Sequence, residues 1–224
     1  MKKIFLIILT FSCFIHANAQ NNKPVIAQAK LPGGDYHVHD GFHFEFGIGP
    51  AFGTVTDNAF IYTGSGTLEF SGTGVGIDIK LGGALQENLI LTFDILSKAI
   101  QSPEVKVNGI SAATSNDFSL GEVTYGGGLT YYLMPSDVFL STTLGAGTFV
   151  ISNSQSNTTT RSDYGFSMQL KVGKHWWISN KWGISLSGAY GTTSAKDSGH
   201  DNIGSYSDDL SSSRFVIAAS IGIR

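Results

Sequence analysis

Apolar residues alternate with small or polar ones at period two along eight stretches of the chain: 42–52, 73–82, 88–98, 120–133, 138–149, 164–177, 182–191 and 214–223. Period two is the mark of a β-strand, because successive side chains leave a pleated backbone on opposite faces. In the first stretch one phase holds Phe42, Phe44, Phe46, Ile48 and Phe52, and the other His43, Glu45, Gly47 and Gly49. The connections alternate as well. Thr54–Gly72, Ala99–Ser119, Val150–Asp163 and Thr192–Ser213 are long, whereas Gly83–Glu87, Met134–Asp137 and Ser179–Lys181 are short. Tight turns at one rim and long loops at the other belong to an up-and-down barrel. The pattern predicts an all-β protein, an eight-stranded antiparallel up-and-down transmembrane β-barrel. Strand-like residues around Gly64-Ser65-Gly66 (Phe60, Ile61, Tyr62, Leu68, Phe70) predict a first hairpin that protrudes, with a ten-strand ring as the alternative.

The second phase decides which face meets lipid. A soluble barrel turns its apolar phase inward and covers its outside with Lys, Glu, Thr and Gln. Here the non-apolar phase is mostly Gly, Ser, Ala and Thr with a few charges, as in Gly165, Ser167, Gln169, Lys171 and Gly173. Glycine weakens a strand unless crowding forbids a side chain, and the interior of eight strands is that crowded. The apolar phase therefore faces lipid. It carries almost no charge; Lys174 is the clear exception, beside Trp176 at a strand end where a lysine reaches the headgroups. Tyr131, Tyr132, Trp176, Trp177 and Trp182 flank the short turns, the expected place of an interfacial aromatic girdle. The girdle residues are Tyr131, Trp176, Trp177 and Trp182. The short-turn rim is then periplasmic and the long loops, rich in Ser, Thr, Asn and Gly, are solvated and mobile.

Composition narrows this picture. Charged residues make up only 14% of the chain, and the net charge of −3 leaves no basic stripe, so nucleic acid is not a partner. Met1-Lys2-Lys3, the apolar run Ile4–Ile15 and Ala17-Asn18-Ala19 read as a secretory signal peptide over 1–19. Cys13 offers a lipoprotein cleavage site as the alternative, without the usual aliphatic residue three positions ahead. A periplasmic lead-in over 20–40 and a barrel over 41–224 complete the domain reading. Beyond residue 19 there is no cysteine, which excludes disulfides and thiolate metal sites there.

Three constellations carry candidate chemistry. Glu45, Asp78, Lys80, Asp94, Glu122 and Lys171 belong to the interior phase, where opposite charges would satisfy one another in a structural network, with His43 nearby. His37, His39, Asp40 and His43 are the densest set of ligand-type residues. His37 and His39 share a face of an extended segment and are weak candidates, with His43, for Zn²⁺ or Cu²⁺. A polar lead-in to the first strand, with His43 already in the lumen, explains them more simply, so no metal and no cofactor is assigned. His200 with Asp197 and Asp201, beside Ser194 and Ser198, is the one outer-loop set resembling a hydrolytic site. It also describes an ordinary solvated loop, and no catalysis is expected.

The run Gly126-Gly127-Gly128-Leu129-Thr130-Tyr131-Tyr132-Leu133-Met134-Pro135, followed by Val138-Phe139-Leu140-Ser141 and Leu144-Gly145-Ala146-Gly147, resembles small bacterial outer-membrane β-barrels of the OmpX and OmpA transmembrane type. The resemblance spans about 41–224. It implies an integral outer-membrane protein of a Gram-negative bacterium, folded by the barrel assembly machinery, with outer-membrane lipid around it and an unidentified partner for its loops. Because side chains fill so narrow a lumen, the expected role is structural or surface-interactive, in adhesion or envelope integrity. A narrow channel, a lipid-modifying barrel enzyme and a soluble lipocalin-like carrier are the alternatives. Such barrels commonly end on an aromatic residue, whereas this sequence ends Ile221-Gly222-Ile223-Arg224.

Overall fold

The computed structural model describes residues 38–61, 64–112, 117–200 and 205–223. Among them are β1 (Phe42–Ile61), β2 (Gly64–Gln86), β3 (Leu89–Gln101), β4 (Glu104–Val107), β5 (Ile110–Ala112), β6 (Phe118–Leu133), β7 (Val138–Asn153), β8 (Thr158–Arg161), β9 (Gly165–Trp177), β10 (Trp182–His200) and β11 (Ser205–Ile223). Eight of these close a ring in the order β1-β11-β10-β9-β7-β6-β3-β2, and β2 pairs back on β1. Every pairing in the ring is antiparallel. The remaining short strands lie off the ring. β4 pairs with β2 through Leu68–Ser71, β5 turns back on β4, and β8 turns back on β7. The ten-strand alternative is excluded by the direct β1–β2 and β1–β11 pairings.

The registers fix the shape of the ring. Paired residues followed once round from Glu45 run through Lys80, Asp94, Gly126, Gly145, Ser167, Thr193 and Ser212, and return to Val55. Position 55 is ten residues beyond position 45 on the same strand, so the shear is ten. At ~3.3 Å per residue and ~4.8 Å between strands, that stagger tilts the strands by roughly 40° from the barrel axis.

Each long strand changes character part-way along. On β2 the outward phase is Leu81, Ile79, Ile77 and Val75, then Thr73, Ser71, Glu69 and Thr67; the inward phase is Lys80, Asp78, Gly76 and Gly74, then Phe70 and Leu68. β1 inverts likewise, from Phe46, Ile48 and Phe52 outside to Thr54, Thr56 and Asn58, while Val55 lies buried inside. The apolar outer segments match the 9–11 residues of a transmembrane strand. Beyond them the barrel continues as a water-facing structure with its own apolar core of Val55, Phe70, Leu120, Phe149, Ala195 and Leu210.

This corrects the expectation of mobile loops at that rim. β1, β2, β10 and β11 run to 20, 23, 19 and 19 residues, and β1 and β2 stay paired from Phe42↔Gly83 to Ile61↔Gly64. The Ser, Thr and Asn residues there are the polar face of paired strands. The first hairpin extends as its sequence predicts, and the β10–β11 hairpin does so too, from Trp182↔Ile223 to His200↔Ser205.

The water-facing extension holds a like-charge cluster. Asp57 is half-buried on the inward phase, and Asp197 and Asp208 face each other directly across β10 and β11. Burial, then the Asp208 and Asp197 carboxylates, push Asp57 up to about 6; burial and Asp208 also raise Asp197. A raised carboxyl pKa means that the folded state binds the extra proton between the ordinary 3.8 and about 6. The extension therefore gains stability as pH falls through 6 and loses it as pH rises. With Asp57 half exposed to screening solvent, we expect an effect of about 1 kcal/mol. Hydrogen-exchange protection of the β1–β11 amides near Asp57 and Leu210, corrected for intrinsic rates, should rise roughly five-fold from pH 7 to 4.5. Asp57→Asn should give much of that gain at pH 7. Protection that is flat with pH would remove Asp57 as its source.

Candidate functional site: the filled lumen

Period two carries the polar phase into the lumen, and the shear of ten determines who meets whom there. Among the described residues the buried charges are Lys80, Lys98, Lys171 and Arg214 against Glu45, Asp78, Asp94 and Glu122. Lys80 Nζ donates to Asp94 Oδ2 at 2.7 Å and to Ser141 Oγ at 3.2 Å, and Thr143 also donates to Asp94. Thr130 Oγ1 donates to Ser141 Oγ at 2.8 Å. Lys171 reaches across to Asp78 in an ion pair and lies 3.6 Å from Glu45 Oε1. Arg214 pairs with Glu122, and the Thr193 hydroxyl sits 2.5 Å from Glu122 Oε1 and 2.7 Å from Ser167 Oγ. All six charges picked out by sequence thus lie in the lumen, in three linked groups.

Sequence reading missed Arg214 and Lys98. Arg214 opens the last alternating stretch on the phase of Val216, Ala218 and Ser220, all of which point inward, so its parity alone places it inside. Lys98 continues the inward phase of Ile90, Thr92, Asp94 and Leu96 and lies opposite Glu122 in register.

Apolar and aromatic groups cover this polar middle at both ends. Toward the hairpin rim lies the cluster around Phe70, Leu120 and Phe149. At the short-turn rim Ile90, Tyr132 and Phe139 form a second cluster. His39 is fully buried there: its ring stacks on Tyr132 at 3.6 Å and lies 5.3 Å from His175 and 5.0 Å from Trp177. His39 Nε2 is 2.9 Å from Asp137 Oδ1 in the β6–β7 turn. The backbone of the same residue is tied to the β2–β3 turn, with Asn88 N donating to His39 O at 2.9 Å and His39 N donating to Asn88 Oδ1 at 3.2 Å. His39 therefore sits in the short-turn mouth of the barrel as a plug.

This geometry revises two expectations. Tyr131, Trp176 and Trp182 are exposed on the outer face, and Lys174 Nζ stands over the Trp176 ring at 5.9 Å. Trp177, expected in the girdle, turns inward against His39 and His175, and Tyr132 is buried beside it. Adjacent residues of a strand cannot share a face, so Tyr131 and Tyr132, or Trp176 and Trp177, divide between lipid and lumen. Of the metal candidates, His37 lies outside the described residues. His39 is engaged with Asp137 and Tyr132, while His43 is buried on the inward phase of β1, and no metal-competent group forms among the described residues. Ser194 and Ser198 lie on the outward phase of β10 and Asp197 on the inward one, with Ser198 Oγ donating to Asp163 Oδ2 at 2.9 Å. That strand therefore holds them apart; the His200 side chain and Asp201 lie outside what is described.

A ring of eight tilted strands, apolar outside and polar within, is also the architecture of known proteins. The outer membrane protein OprG from Pseudomonas aeruginosa superposes with a TM-score of 0.53 at 12% identity, over 84% of this chain and 99% of that one. This chain has the fold of a small outer-membrane β-barrel. Neisserial surface protein A matches with a TM-score of 0.47 at 15% identity, over 80% of this chain and 96% of that one. At these identities the likeness concerns the fold of the barrel alone. No protein-family model and no curated protein matches the sequence.

Proposed function

We propose that this barrel is an integral outer-membrane protein of a Gram-negative bacterium with a structural or surface-interaction role, in adhesion or envelope integrity, and without catalysis. A signal peptide over 1–19 delivers it, and the barrel assembly machinery folds it. Its short turns face the periplasm, and its long hairpins stand outside the cell. The observation that supports this most is the filled lumen: among the described residues, an ion-paired middle lies between two apolar closures. A lipocalin-like carrier would need the reverse arrangement, an apolar interior and a wet exterior. The apolar belt around the barrel, from Phe46 and Ile77 to Leu186 and Ile217, would be costly to leave in water.

What the barrel offers its surroundings is the rim of paired hairpin strands, since strands already paired bind a partner with less ordering cost than mobile loops. Expressed in a Gram-negative host, the protein should fractionate with outer membranes. It should also migrate faster on unheated than on heated gels, and reconstituted in planar bilayers it should show no stepwise conductance. Recovery from the periplasm without detergent would overturn the membrane reading. Regular conductance steps would overturn the structural reading in favour of a channel, and a changed lipid A mass spectrum on expression would favour an enzyme.

A further inference from the structure

The filled lumen leaves a gap. A cavity of about 20 Å³ opens between Asp78, Lys98, Glu122, Gln169, Lys171 and Arg214, room for one water-sized particle. Three cationic heads and two carboxylates line it, and Glu45, 3.6 Å from Lys171, brings the surrounding charges into balance. Arg214 is paired with Glu122 and Lys171 with Asp78. Lys98 stands apart from these pairs: it is 4% exposed, lines the cavity, and its Nζ has no hydrogen-bond partner. An ammonium buried without a partner is strongly disfavoured, and a bound counter-ion removes that cost.

The surrounding glycines show that the strands make room for these cations. A Cβ on Gly53 would stand 2.6 Å from Lys98 Nζ, and one on Gly191 would stand 2.8 Å from Arg214 Cζ. Each cation thus occupies the space of a missing side chain on a neighbouring strand, which holds its head at the cavity. We propose that this cavity is a binding site for one monatomic anion of chloride size, with Lys98 as its principal ligand. A polyatomic anion such as sulfate is too large for the space. A divalent cation would meet three positive heads.

Thermal unfolding of the full barrel in detergent micelles tests this, with sodium chloride compared against sodium gluconate at equal ionic strength. Chloride should raise the midpoint saturably by about 2–4 °C, the shift a ligand present at several times its Kd gives a chain of this size. Lys98→Gln should abolish the chloride dependence. In crystals grown with sodium bromide, an anomalous peak should lie beside Lys98 Nζ. Because the bromide measurement uses the unaltered chain, it decides the matter even if Lys98→Gln fails to fold. Equal midpoints in the two salts, or a water without anomalous signal between Lys98 Nζ and the free Glu122 Oε2, would overturn the assignment.

Discussion

Lys171→Met should lower the unfolding free energy of the barrel by about 3–5 kcal/mol, the cost of leaving buried carboxylates without their cation. Lys171 serves two of them, Asp78 and Glu45, from the opposite side of the lumen, and all three are buried. Removing it leaves two negative charges in a crowded, poorly hydrated space, where each is costly alone and they repel one another. Urea titration of the refolded protein in micelles, followed by tryptophan fluorescence, measures the effect. The control is the double variant Lys171→Met with Asp78→Leu. Removing both partners of a buried pair is far less damaging than removing one, so the double variant should recover a good part of the loss. A single variant as stable as the parent would mean that water reaches these groups freely and that the lumen is not sealed.

Leu186→Arg should cost about 2–4 kcal/mol in a lipid bilayer, because Leu186 sits mid-way along the apolar outward segment of β10. Ser194→Arg, on the same face of the same strand eight residues on, should change stability by less than about 0.5 kcal/mol. The contrast is the informative quantity. Both positions are exposed and on one face, so only a change of solvent between them separates the two outcomes. Equal costs at the two sites would place the membrane boundary elsewhere than the inversion of polarity between Tyr190 and Thr192. Refolding into vesicles of phosphatidylcholine, with urea titration, provides the measurement.

The ring of eight and its lipid-facing phase were legible in sequence because both follow from parity, a local property of a strand. Parity also held the two errors at the short-turn rim. Tyr132 and Trp177 were grouped with their neighbours by residue type, although the backbone alternation sends them into the lumen with His39 and His175. The long hairpins were read as loops because the outward phase stops being apolar at about Phe52. The inward phase becomes apolar at that same point, through Val55, Phe70, Leu120 and Phe149. A search for the second inversion as well as the end of the first would have extended the strands. Arg214 shows the same omission at a strand's beginning.

The pairings within the lumen lay beyond the sequence. Lys171 and Asp78 are 93 positions apart, and only the shear brings their strands to matching heights across the axis. The plug was equally hidden, since nothing in His37–Asp40 indicates that His39 reaches a carboxylate in the β6–β7 turn. The free volume beside Lys98 depends on Gly53 and Gly191 being neighbours of cations on other strands, which again is a matter of register.

The inversion of polarity along the long strands also constrains how the barrel enters a bilayer. Thr54, Thr56, Glu69, Ser71, Lys196 and Asp209 lie beyond the apolar belt, so a barrel inserting from the other side must carry its polar tips through the hydrocarbon before the belt comes to rest. Neither solvent suits a whole strand during that passage. The height of this translocation barrier grows with the length of the hairpins and with the thickness of the bilayer. Insertion kinetics, rather than equilibrium stability, are therefore where the long hairpins exert their largest influence, and a locally thinned membrane is the environment that relieves it.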